Sequence, residues 1–210
     1  MTTSKDLNRI ARWLEMEWSE EQRASFTRFE AWLVDEAIPV GGLGPREASR
    51  VFDRHIADSL AFVRSIDDVA GTLADIGSGV GLPGIPIAIA RPDMVVTIFD
   101  RAEGRTRQAA RACRILGLDN VVVVTSDAGD VEETFDVVTF RASLPITQAT
   151  GVFRSLARDG GIGLFALSRT HAPIASPEPP EGTIFTVVCE GLGVLDSPAW
   201  ILRMQRSQST

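Results

Sequence analysis

The sequence predicts an α/β protein: a parallel sheet with helices on both faces, a helical extension in front, and an antiparallel strand pair at the end. Three observations predict this. The first seventy residues place their apolar side chains at helical spacing. From residue 72, short apolar runs alternate with helical segments, the pattern of repeated strand–helix–strand units. Two strand-like runs then close the chain without a long helix between them. The predicted boundaries are 1–70 for the helical extension and 71–210 for the sheet domain.

The elements follow in order. "DLNRIARWLEMEW" from Asp6 and "EEQRASFTRFEAWLVDEA" from Glu20 set Ile10, Trp13, Leu14 and then Phe26, Phe29, Leu33 on helical faces. Their spacing marks Trp13, Phe26, Phe29 and Trp32 as core residues. Ser19, three residues before Gln22, is a capping box. "IPVGGLGP" breaks the pattern, and "REASRVFDRHIADSLAFVRSI" from Arg46 resumes it with Val51, Ile56, Leu60 and Val63. "TLADIG" is the first strand, "GIPIAIARP" a helix opened through proline, and "MVVTIFD" a second strand ending in an acid. "GRTRQAARACRILGL" is a helix closed by Gly117, and "NVVVVTSD" and "FDVVTFRA" are the third and fourth strands. "ITQATGVFRSLARDGG" reads as a helix with a glycine stop before a fifth strand, "IGLFALS". "TIFTVVCEG" and "SPAWILRMQR" form the closing pair.

Composition narrows the function classes. Of 210 residues, 44% are hydrophobic and 23% charged, as in an ordinary folded domain. The apolar stretches are too short to span a membrane, and the N-terminus lacks the basic start and apolar run of a secretory signal, so a cytoplasmic location is expected. Cys113 and Cys189 then read as separate buried thiols. A net charge of −7 argues against a protein that coats nucleic acid by general attraction. Yet "RAEGRTRQAARACR", residues 101–114, carries five arginines against one glutamate. A local basic face on an acidic body suits a nucleic acid gripped at one place.

The densest signal is "LADIGSGVGLPGIP" from Leu73. Gly77, Gly79 and Gly81 lie where the first strand turns into its helix, and open parallel sheets bind ligands at that edge. Two ligands compete. Gly79, Gly81 and Gly84 match G-x-G-x-x-G, with Asp100 about twenty residues on, as for a dinucleotide. Asp75 with Gly77, Gly79 and Gly81 instead gives D-x-G-x-G-x-G, a signature of S-adenosylmethionine sites. A pyrophosphate needs free N–H groups at a helix N-terminus, and "LPGIP" puts two prolines there. That favours the methyl donor, with Asp100 accepting the ribose hydroxyls.

"DIGSGVGLPGIPIAIARP" resembles the RsmG (GidB) family, which methylates a guanine N7 in 16S ribosomal RNA. "RHIADSL" from Arg54, "FDVVTFRA" and "LFAL" from Leu164 carry the same likeness, over about residues 20–205. The resemblance implies a Rossmann-like class I methyltransferase fold dependent on S-adenosylmethionine, and 16S rRNA or the small ribosomal subunit as partner. It puts donor contacts on Gly77, Leu82, Ala128, Gly129 and Arg141, besides Asp100. Asp127, at the end of the third strand, reads either as a partner for the adenine amino group or as a simple turn acid. Several of the family's basic positions differ: Gly104 stands in a Lys-Arg pair, Asp127 replaces an arginine, and Ser168 replaces a lysine. An RsmG-like enzyme with another substrate and a non-catalytic donor-binding protein therefore remain alternatives.

Guanine N7 carries an unshared pair, so methyl transfer needs placement and exclusion of water more than a general base. No metal is expected. Arg141, after the fourth strand, is the candidate catalytic residue, orienting donor or substrate; an ion pair with Asp136 is the competing reading. His55, Arg105, Arg107 and Arg111 are candidate substrate contacts. Arg107, Arg111 and Arg114 form one stripe, a phosphate track if RNA binds.

Overall fold

A computed structural model describes residues 4–66, 69–167, 183–191 and 193–207. The helices α1 (Ser4–Trp13), α2 (Glu20–Trp32) and α3 (Ala57–Ile66) precede β1 (Gly71–Ile76), α4 (Gly84–Ala90), β2 (Met94–Asp100) and α5 (Glu103–Leu116). Then come β3 (Val121–Thr125), β4 (Phe135–Phe140), α6 (Ile146–Leu156), β5 (Ala157–Ala166), β6 (Thr183–Glu190) and β7 (Ala199–Arg206). The sheet order is β3-β2-β1-β4-β5-β7-β6, with β1 to β5 parallel and β7 antiparallel to both its neighbours. This is the predicted Rossmann-like arrangement. Strand order reverses between β1 and β4, so a crevice opens at their carboxyl ends.

Strand periodicity divides the core. Leu73, Val96, Val137 and Ile201 point to the face covered by α1 to α5. Their neighbours Ala74, Val138 and Leu202 point to the face covered by α6 through Ala149, Phe153 and Leu156. The helices before residue 70 therefore form one layer with α4 and α5 and share a core with the sheet. Phe26, Phe29 and Trp32 are buried there and Trp13 partly so, as their spacing predicted. The Ser19 capping box is present in both directions.

Four local readings change. The first helix stops at Trp13, where Glu15 takes a positive φ of 57°, and the chain turns to bury Trp18 against Phe26. The second helix is α-helical only to Trp32 and ends in a π-turn, Leu33–Ala37. The segment predicted as one helix from Arg46 is a 3-10 turn, Ala48–Arg50, a π-turn, Phe52–Ile56, and then α3. The helix predicted over 146–161 ends at Leu156, and "ARDGG" belongs to β5. The β4–β5 ladder slips register between Phe135 and Val137. A β-carbon on Gly161 would stand 2.9 Å from the Arg158 carbonyl oxygen. The glycines permit this irregularity in the strand and do not stop a helix.

Candidate functional site

The loop after β1 is stitched down from three sides. The Gly77 and Ser78 N–H groups both donate to the Phe99 carbonyl at the end of β2 (2.8 and 3.1 Å). Asp75 has no exposed surface. Its carboxylate accepts the Ser78 hydroxyl, the Gly84 N–H (2.7 Å) and the Thr139 hydroxyl (3.1 Å). Burial pushes its pKa up to about 6, against the opposing pull of those three hydrogen bonds. Asp75, expected to touch the cofactor, is enclosed and holds the loop, α4 and β4 together.

This network also decides between the two ligands. The Gly84 N–H is spent on Asp75, the Ile85 and Ile87 N–H groups donate to Gly81 and Pro83 carbonyls, and Pro86 has none. A pyrophosphate would find no donor in the first turn of α4, and a carboxylate already lies there. The dinucleotide alternative loses its binding element.

Among the glycines, Gly77 is the one that the cleft requires. It has φ 69°, and an added β-carbon would overlap the Ser143 β-carbon. Gly79 (φ 61°) sends its N–H to Asp100 Oδ2 (2.9 Å), and Ala102 N–H donates to Asp100 Oδ1 (2.8 Å). With Arg105 at 3.8 Å, these bonds fix the Asp100 carboxylate at the carboxyl end of β2. Leu82, predicted as a donor contact, is a buried core residue whose N–H bonds the Ser78 carbonyl.

Asp100 lies in the wall of a cleft of about 450 Å³ built from four strand ends. Gly77 follows β1, Phe99 to Arg101 come from the end of β2 and Arg105 from the first turn of α5, Ser126 to Gly129 follow β3, and Ala142 to Leu144 follow β4. Asp127, Ala128 and Gly129 thus stand in the cleft, with Asp127 Oδ1 accepting the Gly129 N–H (3.1 Å). Gly81 does not line it. Ser143, Gln148 and Val152 are lining residues that the sequence reading missed. The buried Ser143 hydroxyl has no hydrogen-bond partner among the described residues. Because β4 flanks the strand-order reversal, its following loop had to form one side of the crevice, and that was the available signal.

Arg141 points elsewhere. It lines a second cavity of about 520 Å³, on the other side of Ala142, together with Glu47, His55, Asp58 and Trp200. Its guanidinium donates to the His55 carbonyl and Ser59 hydroxyl (both 3.5 Å). Asp136, the suggested ion-pair partner, instead binds Arg158 through both oxygens (3.0 Å). His55 Nε2 meets Glu47 Oε2 at 3.0 Å. Burial and the Arg141 charge hold the His55 pKa below the usual imidazole value, outweighing Glu47, and because a carboxylate oxygen faces it, Nε2–H is the donor to Glu47. On α5, Arg107 lies 3.9 Å from Glu103, and Arg111 is bound to Glu36 at 2.6 Å. Arg111 thus ties α5 to the helical layer through an exposed ion pair. Ser168 and the Cys189 side chain lie outside the described residues; Cys113 is a buried free thiol whose pKa burial pushes up to about 12. Among the described residues no helix is long and apolar enough to cross a membrane, and no cluster could hold a metal ion.

The model of the family described as rRNA small subunit methyltransferase G, GidB, matches residues 22–172. A ribosomal RNA small subunit methyltransferase G from Frankia casuarinae is 32% identical over 195 residues, covering 87% of this chain and 73% of that protein. A protein of the same name from Rhodococcus jostii is 34% identical, covering 85% and 82%. Among solved structures, a precorrin-6y C5,15-methyltransferase from Geobacter metallireducens shares the fold, with TM-score 0.51 at 14% identity, covering 71% of this chain and 87% of the other.

Proposed function

The chain belongs to the rRNA small subunit methyltransferase G family, and on that premise we propose that it methylates N7 of a guanine in 16S rRNA. It is an S-adenosylmethionine-dependent methyltransferase, and its cleft suits that donor. The size falls within the usual range for small-molecule sites. Gly77 lets backbone form one wall, and the unpartnered Ser143 hydroxyl offers a polar contact. The observation that carries the reading is the fixed Asp100 carboxylate at the cleft wall beside an α4 that has no free N–H donors. A nucleoside with a ribose and no phosphate satisfies both.

Bound S-adenosylmethionine supplies a methyl group on a sulfonium sulfur. A nitrogen with an unshared pair then needs no base. The chain's own work is positional. Asp100 holds the ribose, and Asp127 to Gly129 with Val152 flank the adenine. Arg105, at the mouth, faces the incoming RNA. Arg141 braces the β4 end against α3 instead of touching the donor cleft.

Calorimetry with S-adenosylhomocysteine and labelled methyl transfer to unmodified small ribosomal subunits test the proposal. Asp100→Ala is expected to lower affinity for the nucleoside by about tenfold or more, the loss of charge-assisted hydrogen bonds. Tight binding with no transfer to subunits would leave a donor-binding protein, or an enzyme with another acceptor. Failure of the parent protein to bind at all would overturn the reading.

A further inference from the structure

Resting on that reading, we infer that the second cavity seats the acceptor base, with Trp200 as the stacking platform and the Glu47 carboxylate as the group that reads a guanine edge. The cavity stands at the correct place. Ala142, which follows β4 at the strand-order reversal, walls both this cavity and the donor cleft. A base in one therefore sits directly beside a donor in the other. Trp200 opens β7, and its carbonyl accepts the Leu167 N–H (2.8 Å), which fixes its strand to the end of β5. The indole is half-buried, so one part packs while another faces the cavity. Stacking on an aromatic side chain is the usual way in which an unpaired RNA base is held.

The charge pattern selects the base. Guanine presents two donors, N1–H and the 2-amino group, on one edge, and O6 and N7 as acceptors on the other. Glu47 supplies an acceptor. The His55 Nε2–H bond to its Oε2 sets the carboxylate's orientation, while the other oxygen can accept from the base. Asp58 adds a second negative group, and Arg54 and Arg141 supply positive charge in the same cavity for O6 and the backbone. Adenine would turn its N1 acceptor toward the carboxylate and be repelled. Methylation also leaves the purine positively charged and its N1–H more acidic. The bond to Glu47 therefore strengthens as the reaction proceeds, so the contact favours the transition state over bound substrate. Glu47 and Trp200 are thus substrate contacts, and His55 is a positioning residue that acts through Glu47.

The test uses the full chain, unmodified small ribosomal subunits as acceptor, and Trp200→Ala, Trp200→Phe and Glu47→Gln. Trp200→Ala is expected to lower kcat/KM by about ten- to a hundredfold, the range for losing one base–aromatic stack, and Trp200→Phe to restore most of it. Glu47→Gln is expected to reduce kcat more than it raises KM. All three should bind S-adenosylhomocysteine within twofold of the parent, and Trp200→Phe and Glu47→Gln should unfold at the parent's urea midpoint; Trp200→Ala, which also removes packing, is assayed well below its own midpoint. The inference is overturned if Trp200→Ala and Glu47→Gln stay within twofold of the parent rate. It is equally overturned if their losses follow a matching loss of nucleoside affinity or of folded protein, because the residues would then be structural. If the parent itself transfers no methyl to subunits, the functional reading fails first, and that outcome is distinct.

Discussion

Gly77 and Gly79 have nearly the same backbone conformation but different surroundings, and substituting each with alanine separates backbone strain from steric overlap. Both have φ in the left-handed region, 69° and 61°. Placing a β-carbon there costs about 1–2 kcal/mol at either position. At Gly79 the new methyl meets nothing within 4 Å, so the cost stops there. At Gly77 it overlaps the Ser143 β-carbon, and relieving such overpacking adds about 1–3 kcal/mol. Gly77→Ala is therefore expected to destabilise by about 2–5 kcal/mol, and Gly79→Ala by about 1–2 kcal/mol. The relief must come from residues 142–144, which form one wall of the donor cleft. Gly77→Ala should then also weaken S-adenosylhomocysteine binding by tenfold or more, as misplaced site groups commonly do. Ser143→Gly removes the opposing β-carbon. In the double variant, most of the excess over Gly79→Ala should disappear, a coupling of about 1–3 kcal/mol. Urea unfolding of the four proteins gives the cycle, and calorimetry gives the affinities. Equal costs at Gly77 and Gly79, or no recovery with Ser143→Gly, would refute the argument that this contact shapes the wall.

Asp75 makes a pH prediction. Its folded pKa of about 6 lies above the ordinary 3.8, so the folded protein keeps a proton that the unfolded chain releases between those values. The stability this contributes is fully present below about pH 4 and lost as pH rises through 6. Relative to Asp75→Asn, the parent should lose about 2–2.5 kcal/mol between pH 4 and 7, at 1.36 kcal/mol per unit; a pH-independent difference in urea unfolding would contradict it. In α6, Gly151 has nothing within 4 Å of an added β-carbon, so Gly151→Ala should raise stability by about 0.5–1 kcal/mol, read as a higher melting temperature. Gly163 lies against the Phe153 and Phe165 rings, and Gly163→Ala should cost about 1–3 kcal/mol in the same assay. For RNA, Arg107→Glu should weaken binding to a 16S fragment and flatten its salt dependence more than Arg111→Glu, because Arg111 already answers Glu36. Filter binding at a series of salt concentrations compares them.

The architecture was legible wherever one periodicity ruled a whole segment. β2, with its apolar run ending in Asp100, and α5, closed by Gly117 in the left-handed conformation, fall within a residue or so of their predicted ends. Reading failed where a glycine pair had two uses. Gly160 and Gly161 look like a helix stop, yet only the pairing with β4, an event distant in sequence, makes them part of a slipped strand. The π-turns at 33–37 and 52–56 have the same origin. They shift the helical face by a fraction of a turn so that Leu33, Phe52 and Ile56 all reach one core, and local propensity carries no trace of that demand.

The site divides along a similar line. Residues fixed to strand ends, Gly77, Asp100 and Asp127 to Gly129, could be placed in one cleft from topology alone. Asp75 could not. A D-x-G-x-G-x-G pattern looks the same whether the acid meets a ligand or the loop, and the decision rests on burial. An acid with no exposed surface, accepting from Ser78, Gly84 and Thr139, has its oxygens turned inward. It nonetheless determines ligand choice, by consuming the Gly84 N–H that a phosphate would need. Arg141 shows the converse. Its place after β4 suggested the donor cleft, but a single residue further, Ala142, is where the chain divides two cavities, and the guanidinium falls on the far side with His55. Sequence position set the strand end; only the turn beyond it, with Ala142 at a positive φ of 54°, set which cavity each side chain serves.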